Sequence, residues 1–224
     1  MSKKLRVLSI IAASTLVAGV AIAPAANAGT KQKVCVALDT AGINDKSFNQ
    51  TSYEGAKAAK AAGYASSIEY LPANSGADYV PNIKKFLDKK CTLIIGIGYL
   101  LGDAIGDAAA KNPGVNFALV DGWSGGKNQK GITYKTDENS FLVGYLAAGM
   151  SKTGKVATYG GMQIPTVTIF MDGYANGVQY YNDVNNKNVE VLGWNPATKK
   201  GTFLGSFDDT TKALSTSVAF EQQG

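Results

Sequence analysis

From residue 33 onward, short apolar runs alternate with stretches in which apolar residues recur every three or four positions. The first pattern reads as strand and the second as helix, so the alternation predicts repeated strand-helix units and an α/β fold built on parallel sheet. The first strand is expected at residues 34–39, and Ser47-Phe-Asn-Gln50 has the capping-box spacing that opens a helix to about residue 62. A second strand follows at 67–71, then a helix starting near Asp78 with Pro81 in its first turn and Val80, Ile83, Phe86 and Leu87 on one face. Residues 93–98 form a continuously apolar third strand and 103–111 a helix. Asn112-Pro-Gly114 ends that helix before a strand at 117–121.

Residues 123–130, Trp-Ser-Gly-Gly-Lys-Asn-Gln-Lys, lose the periodicity and are rich in turn formers, which predicts a linker or hinge. The alternation restarts with a strand at 131–134, a helix carrying Phe141, Leu142, Tyr145 and Leu146, and a strand at 155–159. Pro165 opens a helix whose Val167, Phe170, Tyr174, Val178 and Tyr181 form an apolar stripe expected in a core. Strands at 189–192 and 202–207 and a helix over 210–222 complete the pattern. The expected organisation is an N-terminal α/β lobe over 29–122, a hinge over 123–130 and a second α/β lobe over 131–224, each with a parallel sheet flanked by helices. The last helix leads into no strand, so the second lobe is read as incomplete, truncated on its C-terminal side.

Ahead of the alternation, Lys3, Lys4 and Arg6 precede an apolar run over 7–23 and the small-residue stretch Pro24-Ala-Ala-Asn-Ala28. This is the pattern of a secretory signal peptide over 1–28, cleaved after Ala28, and it places the protein in the periplasm or on the outer face of the cell membrane. Ser9, Ser14, Thr15 and Gly19 interrupt the run and argue against a membrane anchor. Three of the 22 basic residues leave with the leader, so 19 face 17 acidic ones, a net charge of +2. With no Lys/Arg run interleaved with aromatics, nucleic acid is not an expected partner. Two cysteines remain, Cys35 and Cys91, both near the starts of expected strands. If the first and third strands are neighbours, as in one common doubly wound order, the sulfurs come within bridging range; two free buried thiols are the alternative.

Ligands of open α/β sheets bind beyond the carboxyl ends of the strands. Asp39 stands there, followed by the loop 40–46 and a helix start whose free backbone N–H groups can hold ligand acceptors. Phe48, in the first helical turn, either stacks on a flat ligand or staples into the protein's own core. Gly96-Ile-Gly-Tyr-Leu-Leu-Gly102, with Asp121 ending the next strand, invites a dinucleotide reading, but its spacing is G-x-G-x-x-x-G and tight backbone turns explain it better. Histidine is absent, which removes the usual general base, the serine and cysteine triads and most zinc sites. The carboxylates Asp39, Asp45 and Asp121 have no nucleophile motif beside them, so an exported carboxylate-dependent hydrolase ranks behind simple binding, and neither catalysis nor a cofactor is expected. The chain's one arginine, Arg6, lies in the leader. Without guanidinium forks to grip carboxylate or phosphate, the remainder suits a neutral, hydroxyl-bearing or aromatic solute.

Asp39-Thr-Ala-Gly-Ile-Asn-Asp-Lys-Ser-Phe-Asn-Gln50, followed by Tyr53-Glu-Gly55, resembles the opening motif of the basic membrane protein family of ABC transporter solute-binding proteins, whose best-understood members are purine nucleoside receptors. The likeness continues through Ile94-Ile-Gly-Ile-Gly-Tyr99, Asn112-Pro-Gly-Val-Asn-Phe117 to Asp121, Phe141-Leu-Val-Gly144, Gly160-Gly-Met162 with Ile164-Pro165, and Gly205-Ser-Phe-Asp208. The resemblance implies a two-lobed fold of the type I periplasmic-binding-protein kind, monomeric, closing on a nucleoside and delivering it to an ABC permease. It implies that Phe48 stacks on one face of the base, that Asn49 hydrogen-bonds it with Asp39 or Asp45 assisting, and that Asp121 faces the ribose. Phe207 would supply the opposing ring, and Gly98 counts among the ligand-binding positions. A receptor of the same fold for another neutral solute, such as a sugar, is the alternative. Many relatives carry a lipid-bearing cysteine directly after the signal, whereas Ala28 is followed by Gly29.

Overall fold

The structure, a computed structural model, describes residues 31–224, so the signal peptide expected over 1–28 lies outside the described residues. The first half alternates β1 (Gln32–Ala37), α1 (Phe48–Ala61), β2 (Ala65–Leu71), α2 (Tyr79–Asp88), β3 (Leu93–Ile97), α3 (Gly102–Lys111), β4 (Asn116–Val120) and β5 (Gln129–Ile132). These strands form one parallel sheet in the order β2-β1-β3-β4-β5. Inner strand β3 and residues 34–37 of inner strand β1 are apolar throughout because helices cover both faces. On one face Phe86, Ile83, Ile105 and Phe117 pack between the sheet and α2 and α3; on the other Val34, Val36, Leu38 and Ile97 pack with Ala56 of α1. Each large side chain taken out of water in this way contributes about 1.5–3 kcal/mol.

One expectation is corrected here. The strand expected to open the second lobe is β5, and it pairs with β4 in the first sheet, extending the first unit to Ile132. The stretch 123–130, expected as a linker or hinge, is held to the first half by hydrogen bonds. Asn128 donates its side-chain amide to the carbonyls of Ala109, Asn112 and Val115 at 3.0, 3.1 and 2.8 Å, Gly131 N donates to the Ser124 hydroxyl at 2.9 Å, and Gln129 Nε2 to the Trp123 carbonyl at 3.3 Å. Side chains that read as loop polarity are satisfying backbone groups.

The second half consists of α4 (Thr136–Met150), β6 (Lys155–Ala157), α5 (Pro165–Asn185), β7 (Glu190–Leu192), β8 (Trp194–Asn195), β9 (Lys200–Gly201) and α6 (Thr210–Glu221). β6 and β7 are parallel, and β8 and β9 form a small antiparallel hairpin. The strand expected at 202–207 reduces to a single bridge of Phe203 to Gly160. The stripe expected on α5 is also displaced: Met171, Ala175, Val178 and Asn182 are buried, while Phe170 is 45% exposed. Glycine is the cause. A Cβ on Gly177 would stand 2.0 Å from the Phe141 carbonyl oxygen, and one on Gly144 2.0 Å from that of Tyr174, so α4 and α5 meet backbone to backbone and the helix turns accordingly. Among the described residues no helix is long and apolar enough to cross a membrane. Cys35 and Cys91 are joined as a disulfide with Cα atoms 6.0 Å apart, possible because β1 and β3 are neighbours.

Candidate functional site

The strand order reverses direction between β1 and β3, which makes the space beyond their carboxyl ends the topological switch point of the sheet. Asp39 follows β1 and Gly98 follows β3, and α1 brings Phe48 against both. Gly98 has φ +107, a conformation costly for any residue with a Cβ. A Cβ there would stand 3.4 Å from Asp39 Oδ2 and 3.5 Å from Phe48 Cε1. A carboxylate oxygen and an aromatic edge thus flank one bare stretch of backbone. Gly96 is small for a different reason: a Cβ would sit 2.8 Å from Ile105 Cγ1, so the glycines of this loop answer to packing and turn geometry, not to a dinucleotide.

Asn49 and Asp45 serve this corner from beneath. Asn49 is fully buried; its Nδ2 donates to Asp39 Oδ1 at 2.5 Å and its Oδ1 accepts from Asp39 N at 3.4 Å. Ala41 N donates to the same Oδ1 at 3.0 Å, which leaves Oδ2 as the oxygen turned toward Gly98. Asp45 accepts from the backbone N–H groups of Ser47, Asn49 and Gln50 at 3.0, 2.8 and 3.1 Å. Burial pushes its pKa up, but these donors together outweigh burial and hold the carboxyl below its ordinary range. Ser47, in the capping position, makes no side-chain cap bond. Lys46 adopts φ 54, and the chain carries the Asp45 carboxylate, the stronger acceptor, onto the helix start. Among the N–H groups read as free for a ligand, those of Ser47, Asn49 and Gln50 are therefore occupied.

Asp121 follows β4 with φ 60. Burial pushes its pKa up, partly countered by a hydrogen bond from the side chain of Thr166 in the first turn of α5. Thr166 escaped the sequence reading, although the helix start at Pro165 was its signal. Tyr79, also overlooked, opens α2; burial first and the nearby Asp39 carboxylate second raise its pKa. Phe207 is 44% exposed and seated on Gly161, where a Cβ would stand 2.4 Å from its ring. No ring contact joins Phe48 to Phe207 among the described residues. The structure thus gathers Asp39, Asn49, Phe48 and Gly98 at one corner, gives Asp45 the helix cap, and places Asp121 and Phe207 on neighbouring elements.

The family model described as Bmp, ABC transporter substrate-binding protein PnrA-like, matches residues 31–207. The chain belongs to the Bmp family. Among curated members, it is 32% identical over 205 residues to the ABC transporter nucleoside-binding protein BmpA of Lactococcus lactis subsp. cremoris, covering 87% of this chain and 53% of that protein. Basic membrane protein D of Borreliella burgdorferi is 31% identical over 186 residues, covering 81% of this chain and 50% of that protein. This Bmp chain therefore spans about half the length of the curated relatives it matches. Among solved structures, an ABC transporter system solute-binding protein from Aeropyrum pernix K1 superposes with a TM-score of 0.70 at 30% identity, over 85% of this chain and 52% of that one. The Bmp fold is thus of the type I periplasmic-binding-protein kind, with helices flanking a parallel sheet.

Proposed function

We propose that this Bmp-family chain is the ligand-capturing part of an exported receptor that takes up a nucleoside, purine by preference, and presents it to an ABC permease without chemical change. The observation that carries the reading is the convergence of Asp39 Oδ2 and the Phe48 ring on the backbone at Gly98. Phe48 offers an apolar face to a flat, uncharged base, and Asp39 offers a carboxylate to its N–H edge, held in place by Asn49. Asp121 is the acceptor for the ribose hydroxyls, and Phe207 the ring that approaches from the second unit. The lack of arginine after residue 6 agrees with an uncharged ligand. The printed name of the Lactococcus relative, a nucleoside-binding protein, supports the same substrate class.

The test is calorimetric titration of the folded protein with inosine, adenosine, guanosine, cytidine and ribose. Micromolar or tighter binding of a nucleoside with ribose silent is expected, and Phe48→Ala should weaken it by at least ~1 kcal/mol, about fivefold. Ribose binding without nucleoside binding would shift the assignment to a sugar receptor; silence from all five would overturn the reading.

A further inference from the structure

The first sheet is polarised by charge. Its five strands are parallel, so the segments that lead into them all lie at one end, opposite the end that carries Asp39 and Asp121. The chain enters each strand past a lysine. Lys31 precedes β1, Lys60 lies in the last turn of α1 ahead of β2, Lys90 follows α2 ahead of β3, Lys111 ends α3 ahead of β4, and Lys127 precedes β5. All five are exposed, and none takes part in an ion pair among the described residues. The entry segments 62–64, 89–92, 112–115 and 123–128 contain no Asp or Glu. Asp88, at the end of α2, is paired with Lys84 at 2.7 Å, and Glu69 of β2 is shared by Lys33 and Lys89. The carboxyl end of the same sheet carries Asp39, Asp45, Asp78, Asp103 and Asp121.

Helix chemistry accounts for part of this pattern. Lys60 and Lys111 stand in last helical turns, where a cation offsets the helix dipole. Lys31 and Lys127 stand at no helix end, and Lys90 holds φ 60, a backbone setting that glycine fills at lower cost. The dipole therefore does not explain the set. Neighbouring strands stand about 4.8 Å apart, so five of them span about 20 Å. With a screening length of about 8 Å at physiological ionic strength, adjacent lysines act on a partner together. One further side chain at this end is uncharged. Tyr64, between α1 and β2, is 68% exposed, and its carbonyl accepts from Gln32 N at 3.2 Å, which sets it beside Lys31. Tyrosine, with an apolar ring and a polar tip, is the kind of side chain that settles at the headgroup level of a bilayer. Lysines alone suit any polyanion, whereas lysines beside an exposed tyrosine suit a surface that is charged outside and apolar beneath.

We infer that this end of the first sheet, with Lys31, Lys60, Tyr64, Lys90, Lys111 and Lys127, is a docking face for an anionic phospholipid surface, holding the exported protein by its base and leaving the Asp39 corner turned to solvent. The inference rests on export and is independent of the nucleoside reading; vesicle binding is measured without ligand, so either can fail alone. The protein recovered after export is sedimented with vesicles of phosphatidylcholine, alone or with about 30% phosphatidylglycerol, in about 0.1 M and about 0.5 M salt. Binding should require the anionic lipid and fall at least about tenfold at the higher salt. Lys60→Gln, Lys111→Gln and Lys127→Gln combined should weaken it at least about tenfold. Lys152→Gln, Lys187→Gln and Lys200→Gln combined, three exposed lysines of the second half with the same loss of net charge, should leave it within about twofold. Tyr64→Ser should weaken vesicle binding and leave binding to soluble polyphosphate unchanged. Equal losses in the two triple variants, or binding of polyphosphate with none to anionic vesicles, would overturn the assignment.

Discussion

At the scale of single residues, the chemistry of the site rests on which polar groups are already satisfied. Asp45 holds three backbone N–H groups, those of Ser47 just ahead of α1 and of Asn49 and Gln50 in its first turn, and its pKa lies below the ordinary 3.8. A carboxyl depressed in the folded state contributes stability that is present above the unfolded pKa and lost as pH falls through the folded one. Asp45→Ala should therefore cost about 1 kcal/mol in urea denaturation at neutral pH, and the gap to the unaltered protein should close in acid well below 3.8. Asp121 has the opposite sign: its pKa is raised, so its ionisation opposes folding as pH rises above 3.8. The motif running from Asp39 to Gln50 was legible as a candidate corner, because carboxylate, amide and ring are crowded where a strand hands over to a helix. The division of labour within it was not. Whether Asn49 faces a ligand or props Asp39 depends on a 2.5 Å contact across the loop that spacing alone does not encode.

At the scale of elements, periodicity located helices and inner strands well and failed where close packing or polar satisfaction overrode it. β1 and β3 carry continuous apolar runs that only a doubly covered strand tolerates, so their placement followed from pattern. β5, Gln129–Ile132, is short and polar, an edge strand recruited by pairing with β4, and nothing in its pattern marks it as part of the first sheet. The α5 stripe went astray because the reading weighed large apolar residues, whereas Gly144, Gly173 and Gly177 let α4 and α5 approach and thereby choose the face. Gly177→Ala would place its methyl 2.0 Å from the Phe141 carbonyl oxygen, which cannot yield without moving a helix. It should lower stability by about 1–3 kcal/mol in thermal or urea unfolding, with helix content retained by circular dichroism.

For the molecule as a whole, the sheet order places its switch point at the carboxyl ends of β1 and β3 and the disulfide toward the other end of those strands, from Cys35 within β1 to Cys91 ahead of β3. The bond closes a loop with a sequence separation of 56, so its removal in the Cys35→Ala, Cys91→Ala pair should cost about 2–4 kcal/mol in urea unfolding. Loss, in the same variant at low denaturant, of the nucleoside binding proposed above would mean that the Asp39 corner depends on the tie. The Asp45 cap has one more consequence for the proposed receptor. A helix start at the mouth of a crevice is ordinarily an attractive seat for phosphate. Here a carboxylate already occupies it, so an anionic group brought to this helix start would meet another negative charge. Under the proposed function, the cap that begins α1 would also work as a charge filter, favouring the dephosphorylated solute over its phosphorylated form.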